Sequence, residues 1–434
     1  MSAHSDSLPD HVPFRTLDRS GPGTVIAAVL VLVGIGALFL PTGDDHGRVW
    51  RALLFNWLFW ASLAQGMVML AVAWHLTNAR WSWSVRRFAL AGVSFLPVAA
   101  LLFVPIFWFG YHDFFHHWIE VGHDPVIEAK RAWLSVPGMF ARDFAGMLLL
   151  FGMSIAFARL ALRPDVYGAG RDAAQKSMYA RLTGGFRGVK EEAASSVAKM
   201  HKLGVFLALG FAFVWGMVGV DMAMTMMPHW FSTMFPVAFF MAAFHAGIAG
   251  TVIAAVYFRR KMKLQEQITS SQFHDLGKLT FAFAVFWMYL NWSQYVVQWY
   301  GLLPHEQEWW VRRFEAPFTT LSQLVPLLIF VIPFFGLLTR PPKKVPAILA
   351  TFAGIILVGN WLERFMITTP SVYEGTALPF GLMEVGVAAG FAGLFLLCYT
   401  WFLKTFPVFP SPAFMAAQGS ATIEVPASQA PAGA

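Results

Sequence analysis

The sequence predicts an all-α polytopic membrane protein with ten transmembrane helices, and three observations predict it. Of its 434 residues, 57% are hydrophobic and 13% charged, with a mean hydropathy of +0.57; soluble domains carry roughly 25% charged residues. The apolar residues gather in long runs separated by polar breaks, and Lys and Arg concentrate in alternate breaks. This composition argues against a water-soluble enzyme. The net charge of +7 has its meaning in where the cations fall, and no polar surface interleaves basic and aromatic residues as nucleic-acid binding would require.

A bilayer core of about 30 Å needs roughly 20 apolar residues per helix. Residues 1–23 are polar and lack the basic, apolar and small-residue order of a signal peptide, which predicts a cytoplasmic N-terminal tail. Ten runs follow, at about 24–40, 50–76, 86–109, 138–161, 201–219, 231–258, 276–300, 318–338, 345–366 and 380–403. The first is short, the second and sixth long. The stretch 162–200 is polar enough for a surface helix, and 405–434, rich in Pro, Ala and Ser, predicts a disordered C-terminal tail. Residues 24–404 then form the membrane domain, with no soluble domain beside it.

The charge pattern tests these spans independently of hydropathy. Arg80, Arg86 and Arg87 follow the second run, and seven cations from Arg163 to Lys199 follow the fourth. Arg259, Arg260, Lys261 and Lys263 follow the sixth, and Arg340, Lys343 and Lys344 the eighth. The intervening breaks are richer in acids and His, as in 110–137 with His112, Asp113, His116, His117, Glu120 and His123. The positive-inside rule then predicts a multi-pass protein of the bacterial inner membrane with both termini cytoplasmic.

Ionisable residues inside spans are expensive and are candidates for function. Arg142 and Asp143 fall in the fourth run, Asp221 closes the fifth, Glu363 and Arg364 close the ninth, and Glu384 opens the tenth. All six lie in the leaflet away from the cytoplasm. They suit either a proton path or ion pairs that hold helix ends. Asn291, Gln294 and Gln298 share one helical face of the seventh run, and Asn56, Ser62 and Gln65 lie on the second. Such stripes suit a hydrated path or a quinone carbonyl, and equally interhelical hydrogen bonds. His245 stands near the middle of the sixth run without a second histidine at matching depth, which disfavours a bis-histidine haem. The single cysteine, Cys398, excludes an internal disulfide, a thiolate-held cluster and covalent haem attachment. Aromatic residues make up 16% of the chain, including 18 Trp; Trp50, Trp81, Trp83, Trp299, Trp309 and Trp310 suit an interfacial belt. Gly386 and Gly390 give a GxxxG spacing for close helix contact.

The stretch GVDMAMTMMPHWFSTMFP (Gly219–Pro236) resembles the ActF-type membrane subunit of alternative complex III, a bacterial quinol:cytochrome c oxidoreductase whose large membrane subunits are similar to the NrfD/polysulfide-reductase membrane protein. The likeness continues through FHDLGKLTFAFAVFWMYLNWSQYVVQWYGLLP (Phe273–Pro304), WLERFMITTPSV (Trp361–Val372) and HDPVIEAKRAWLSVPGMFARD (His123–Asp143), and departs at LPHEQEWW (Leu303–Trp310). It implies two four-helix bundles, about 50–219 and 231–366, flanked by the first and tenth helices. It also implies a subunit with no redox centre of its own, with haem c and iron–sulfur clusters on partner subunits. Its partners would be a second NrfD-like membrane subunit, an iron–sulfur subunit, c-type cytochromes and membrane lipid. The resemblance assigns the quinol site to the other NrfD-like subunit, and this chain's own role would be a quinone-pocket-like bundle (for quinone or menaquinone), a proton-conducting bundle, or both. Asp143 with His112 or His116 would take protons from quinol, and Asp221, Glu363 and Glu384 would relay them. The rival functions are a purely structural anchor for redox subunits and a secondary transporter.

Overall fold

The structure, a computed structural model, describes residues 12, 14–18, 23–43, 45–120 and 122–420. Helices and their connections account for all the described residues, with no strand among them. In chain order the principal helices are α1 (Gly23–Ala37), α2 (Arg48–Leu76), α3 (Arg86–Ile119), α4 (Pro125–Ala129), α5 (Val136–Val166), α6 (Ala173–Leu182), α7 (Val189–Met226) and α8 (Phe235–Lys261). They continue with α9 (Ser270–Gly301), α10 (Pro304–Phe314), α11 (Thr319–Gly336), α12 (Arg340–Lys344), α13 (Pro346–Val372), α14 (Leu382–Thr405) and α15 (Pro412–Ser420).

Every apolar run is a helix, and eight of these helices are long and apolar enough to cross a bilayer: α2, α3, α5, α7, α8, α11, α13 and α14. The other two fall short for different reasons. The 15 residues of α1 reach only about 22 Å at 1.5 Å per residue. The 32 residues of α9 are long enough, but Asn291, Ser293, Gln294 and Gln298 dilute its apolar character.

Several boundaries move outward from the apolar runs. α3 continues to Ile119 because Tyr111, Phe114, Phe115 and Trp118 keep an aromatic face going. His112 and His116 therefore stand on its last turns rather than in a loop. α13 runs on to Val372, which places Glu363 and Arg364 inside the helix rather than at its end. The polar stretch after α5 holds the surface helix α6 and the first turns of α7.

α2 is the most enclosed helix, with most of its residues buried, Asn56, Ser62 and Gln65 among them. It packs against α3, α7, α8, α13 and α14. Its contact with α8 is made backbone to backbone. A Cβ on Gly66 would lie 2.0 Å from the Ala243 carbonyl oxygen, and one on Gly247 would lie 2.1 Å from the Gly66 carbonyl carbon. α1 lies along α14 in the same manner, with Gly34 facing Gly390 and Ala37 facing Gly386, so the GxxxG spacing on α14 serves the first helix.

The chain beyond Thr405, which composition reads as a disordered tail, carries α15, and 421–434 lie outside the described residues. Phe414 and Met415 are buried, and α15 packs on α7. Two arginines counted as loop cations fasten this segment. Arg87 is buried against Asp165, whose other oxygen accepts from Ser411 N at 2.9 Å, and Arg86 donates to Gln418. Of the N-terminal tail, Leu17 N donates to Leu403 O at 2.8 Å, and Arg15 O accepts from Val408 N at 2.9 Å; the rest of 1–22, apart from 12 and 14–18, lies outside the described residues.

Candidate functional site

A cavity of about 300 Å³ opens where α9, α10, α11 and α13 meet. Its geometry starts from four local choices in the sequence. On α9, Asn291 and Gln294 sit three residues apart and face the same way as Tyr295 and Trp287 toward the cavity. On α11, Ser322, Val325 and Pro326 line the opposite wall. Pro326 has no N–H to offer the Ser322 carbonyl. The next turn is widened: Ile332 N–H reaches back five residues to Leu327, and Pro333 cannot donate after it. Such wide turns recur at functional sites. On α13, Glu363 supplies the floor together with Met366 and Ile367.

The cover is α10, an eleven-residue helix whose Trp309, Trp310, Arg313 and Phe314 turn inward. Trp309 stacks on Trp230 at 4.0 Å and 9°, and both belong to a satellite core with Ala223, Met227 and Phe235. The PHWFST stretch thus seats the cover. Gln298 Oε1 accepts from Trp310 Nε1 at 2.5 Å and from Trp230 Nε1 at 3.3 Å, so this amide binds the cover to α9.

Two ionisable groups at this cavity keep unsatisfied atoms. Glu363 Oε1 accepts from Trp287 Nε1 at 2.7 Å, while Oε2 is enclosed with no partner. No cation lies within ion-pair distance of Glu363 among the described residues. Arg313 is buried, donates to Ser371 Oγ at 2.7 Å and to the Ile367 and Trp309 carbonyls, and lies over the Trp309 ring; its Nε is enclosed and unpartnered. A cavity lined by aromatic rings, with a carboxyl oxygen, two amides and a guanidinium converging on it, has the make-up of a small-molecule site.

Of the residues singled out from the sequence, Asn291, Gln294 and Glu363 come together here. Trp309 and Trp310, expected in an interfacial belt, also line it, and Gln298 bonds to Trp310; the remaining ionisable candidates stand elsewhere. Arg142 Nε donates to Asp221 Oδ2 at 2.5 Å and Nη2 to Oδ1 at 2.8 Å; Trp133 Nε1 also donates to Oδ1 at 2.8 Å, and the guanidinium stacks on the Trp133 ring at 4.0 Å. Asp143 lies beside this pair, fully buried, with no donor to either oxygen. Arg48 grips Glu384 by two bonds of 2.8 Å, and Gly381 N donates to the same carboxylate at 2.7 Å. Arg364 points away from the cavity, donating to the Phe239 carbonyl at 3.0 Å with its guanidinium over the Phe239 ring. His245 is fully buried with both ring nitrogens enclosed. His112 is exposed near Glu120, and His116 lies against His117 with the two rings tilted.

The residues that sequence reasoning missed are Arg313, Trp287, Tyr295, Ser322 and Pro326. A signal for the first was present: PHEQEWWVRRF places Trp309 and Arg313 four residues apart, on one helical face. The composition and the fold define an all-helical, multi-pass membrane protein with an aromatic cavity at one end. No protein-family model matches this chain, and no curated protein matches it.

Proposed function

We propose that the chain is an integral membrane subunit of a quinol:cytochrome c oxidoreductase of the alternative complex III type, and that the cavity receives a quinol headgroup. One observation carries this reading: Glu363, whose Oε2 is an enclosed carboxyl oxygen without a donor, lines a cavity of about 300 Å³ walled by Trp287, Tyr295, Trp309 and Trp310. That volume lies at the lower end of the range of small-molecule sites.

In this reading all ten apolar helices cross the membrane. α1 completes its crossing by lying along α14, and the residues α9 turns outward, such as Val285, Phe286, Tyr289 and Val297, are apolar or aromatic. Helices α2, α3, α5 and α7 make one four-helix bundle, and α8, α9, α11 and α13 the other. Both termini lie on the cytoplasmic side of a bacterial inner membrane, the side of the Lys/Arg-rich connections.

Oxidation of quinol to quinone releases two electrons and two protons. Glu363 Oε2 accepts one proton from one hydroxyl, with the Arg313 guanidinium beside the anionic oxygen left behind; Asn291 and Gln294 hold the second hydroxyl, whose proton goes to water at the cavity mouth as both electrons leave. The chain has one cysteine, too few thiolates to hold a cluster, and in this reading the electrons pass to iron–sulfur and c-type haem centres on partner subunits. A second NrfD-like subunit and lipid complete the surroundings.

The test is E363Q and Q294L in the assembled, purified complex. Quinol-dependent cytochrome c reduction is expected to fall at least ~100-fold in E363Q, the usual minimum for loss of a positioned base, with subunit composition unchanged. Turnover within about twofold of wild type would overturn the assignment. A structural anchor is the second reading, favoured by the two engaged ion pairs Arg142–Asp221 and Arg48–Glu384. It expects normal turnover in E363Q, and loss of assembly when either pair is broken.

A further inference from the structure

The last turn of α3 carries two adjacent histidines that no part of the proposed reaction uses. His116 and His117 have ring centroids 4.1 Å apart at 36°, and His117 Nε2 lies 3.8 Å from Glu374 Oε1 in the connection between α13 and α14. One donor atom from each of the three residues lies within 4.8 Å of the others. We propose that His116, His117 and Glu374 form a binding site for one zinc-class divalent cation, at the end of the molecule opposite the Lys/Arg-rich connections.

The ring nitrogens are arranged for it. His116 Nδ1 sits 3.2 Å from the Asp113 carbonyl oxygen, which fixes Nδ1 as the donor and leaves the Nε2 lone pair free. A second-shell carbonyl of this kind orients metal-ligating histidines. His117 Nδ1 is enclosed by protein, so Nε2 is its outward nitrogen, and that atom faces Glu374. Arg312 is the nearby cation, and it is held by Glu308 at 2.8 Å.

The donor set selects the class of ion. Two imidazoles and one carboxylate suit zinc and its neighbours, whereas calcium and magnesium require oxygen donors. Tetrahedral zinc at about 2.0–2.1 Å from each ligand places donor atoms about 3.3 Å apart. Closing from 4.8 Å asks for a small movement. Glu374, whose side chain is 76% exposed, is free to make it. The fourth position stays open to water. Occupancy would tie the α13–α14 connection to the end of α3, two segments that no hydrogen bond otherwise joins at this point among the described residues.

The experiment is a zinc titration of the purified full-length chain in detergent, with chelator competition, and X-ray absorption at the zinc edge. Expected are one tight equivalent, imidazole nitrogens about 2.0 Å from the metal, and no displacement by excess magnesium. H117A and E374Q should each weaken binding at least ~10-fold, while H112A and H123A, which alter neighbouring surface imidazoles, should leave it unchanged. E374Q changes an exposed loop residue and keeps the test valid if H117A misfolds. Absence of a tight equivalent, wild-type affinity in E374Q, or loss of binding in H112A would each overturn the site. None of these results depends on quinol turnover.

Discussion

Breaking the Arg48–Glu384 pair shows how a charged residue inside a span can be structural. Glu384 is 2% exposed and Arg48 23%, and both carboxylate oxygens are filled. In E384Q the guanidinium loses its charge partner but keeps some access to solvent. The loss should therefore fall below the about 3–5 kcal/mol typical of a fully buried pair, and a lowered melting temperature in detergent measures it. Glu363 belongs to the other kind, with one oxygen engaged and one not. E363Q should leave the melting temperature within about 2 °C while abolishing turnover, because the Trp287 bond survives and a net hydrogen bond contributes only about 1 kcal/mol. The sequence made both residues candidates on equal grounds, since each is an acid in an apolar run. It did not tell them apart, because the partner of Glu384 lies 336 residues away and the missing partner of Glu363 is a fact of packing.

Among elements, the short helix α4 depends on its cap. Asp124 accepts from Val126 N at 2.8 Å and Ile127 N at 3.3 Å, and pairs with His229 at 2.8 Å. Desolvation, the largest single influence, pushes the Asp124 carboxyl up, but the two backbone N–H groups and the His229 ring together outweigh it and hold the carboxyl below its ordinary value. With a depressed folded value, the stabilisation is full above the ordinary Asp range and is lost as pH falls through the folded value. The protection of the Val126 and Ile127 amides, taken relative to intrinsic exchange at each pH, should accordingly fall on acidification below about pH 4, and D124A should show that lower protection already at neutral pH. Helix positions themselves were legible because apolar runs of about 20 residues have few alternatives in lipid. The ends were not, since amphipathic turns such as 110–119 and the segment 366–372 continue a helix after its hydropathy has fallen. Nor was α15, whose Pro- and Ala-rich surroundings resemble a linker until Arg86, Arg87 and Asp165 gather around it.

For the molecule as a whole, the alternation of cationic connections predicts an orientation. In a chain with Cys398 replaced by Ser, a cysteine at Arg187 should react with a membrane-impermeant maleimide only from the cytoplasmic face, and one at His123 only from the opposite face. The reverse pattern would invert the topology. The close approach of α2 and α8 bears on motion across this architecture. Helices ordinarily shift past one another by switching side-chain rotamers at their contact, and at Gly66 and Gly247 there are no side chains to switch. That joint acts as a weld. G66L should prevent the two helices from seating and abolish the folded protein, whereas G34L should release only α1. Spin labels placed on opposite sides of the joint should keep a single, narrow distance distribution in every state of the protein. A mechanism in which two halves rock about a central axis would have to part these two backbones, and a second distance between the spin labels would reveal it.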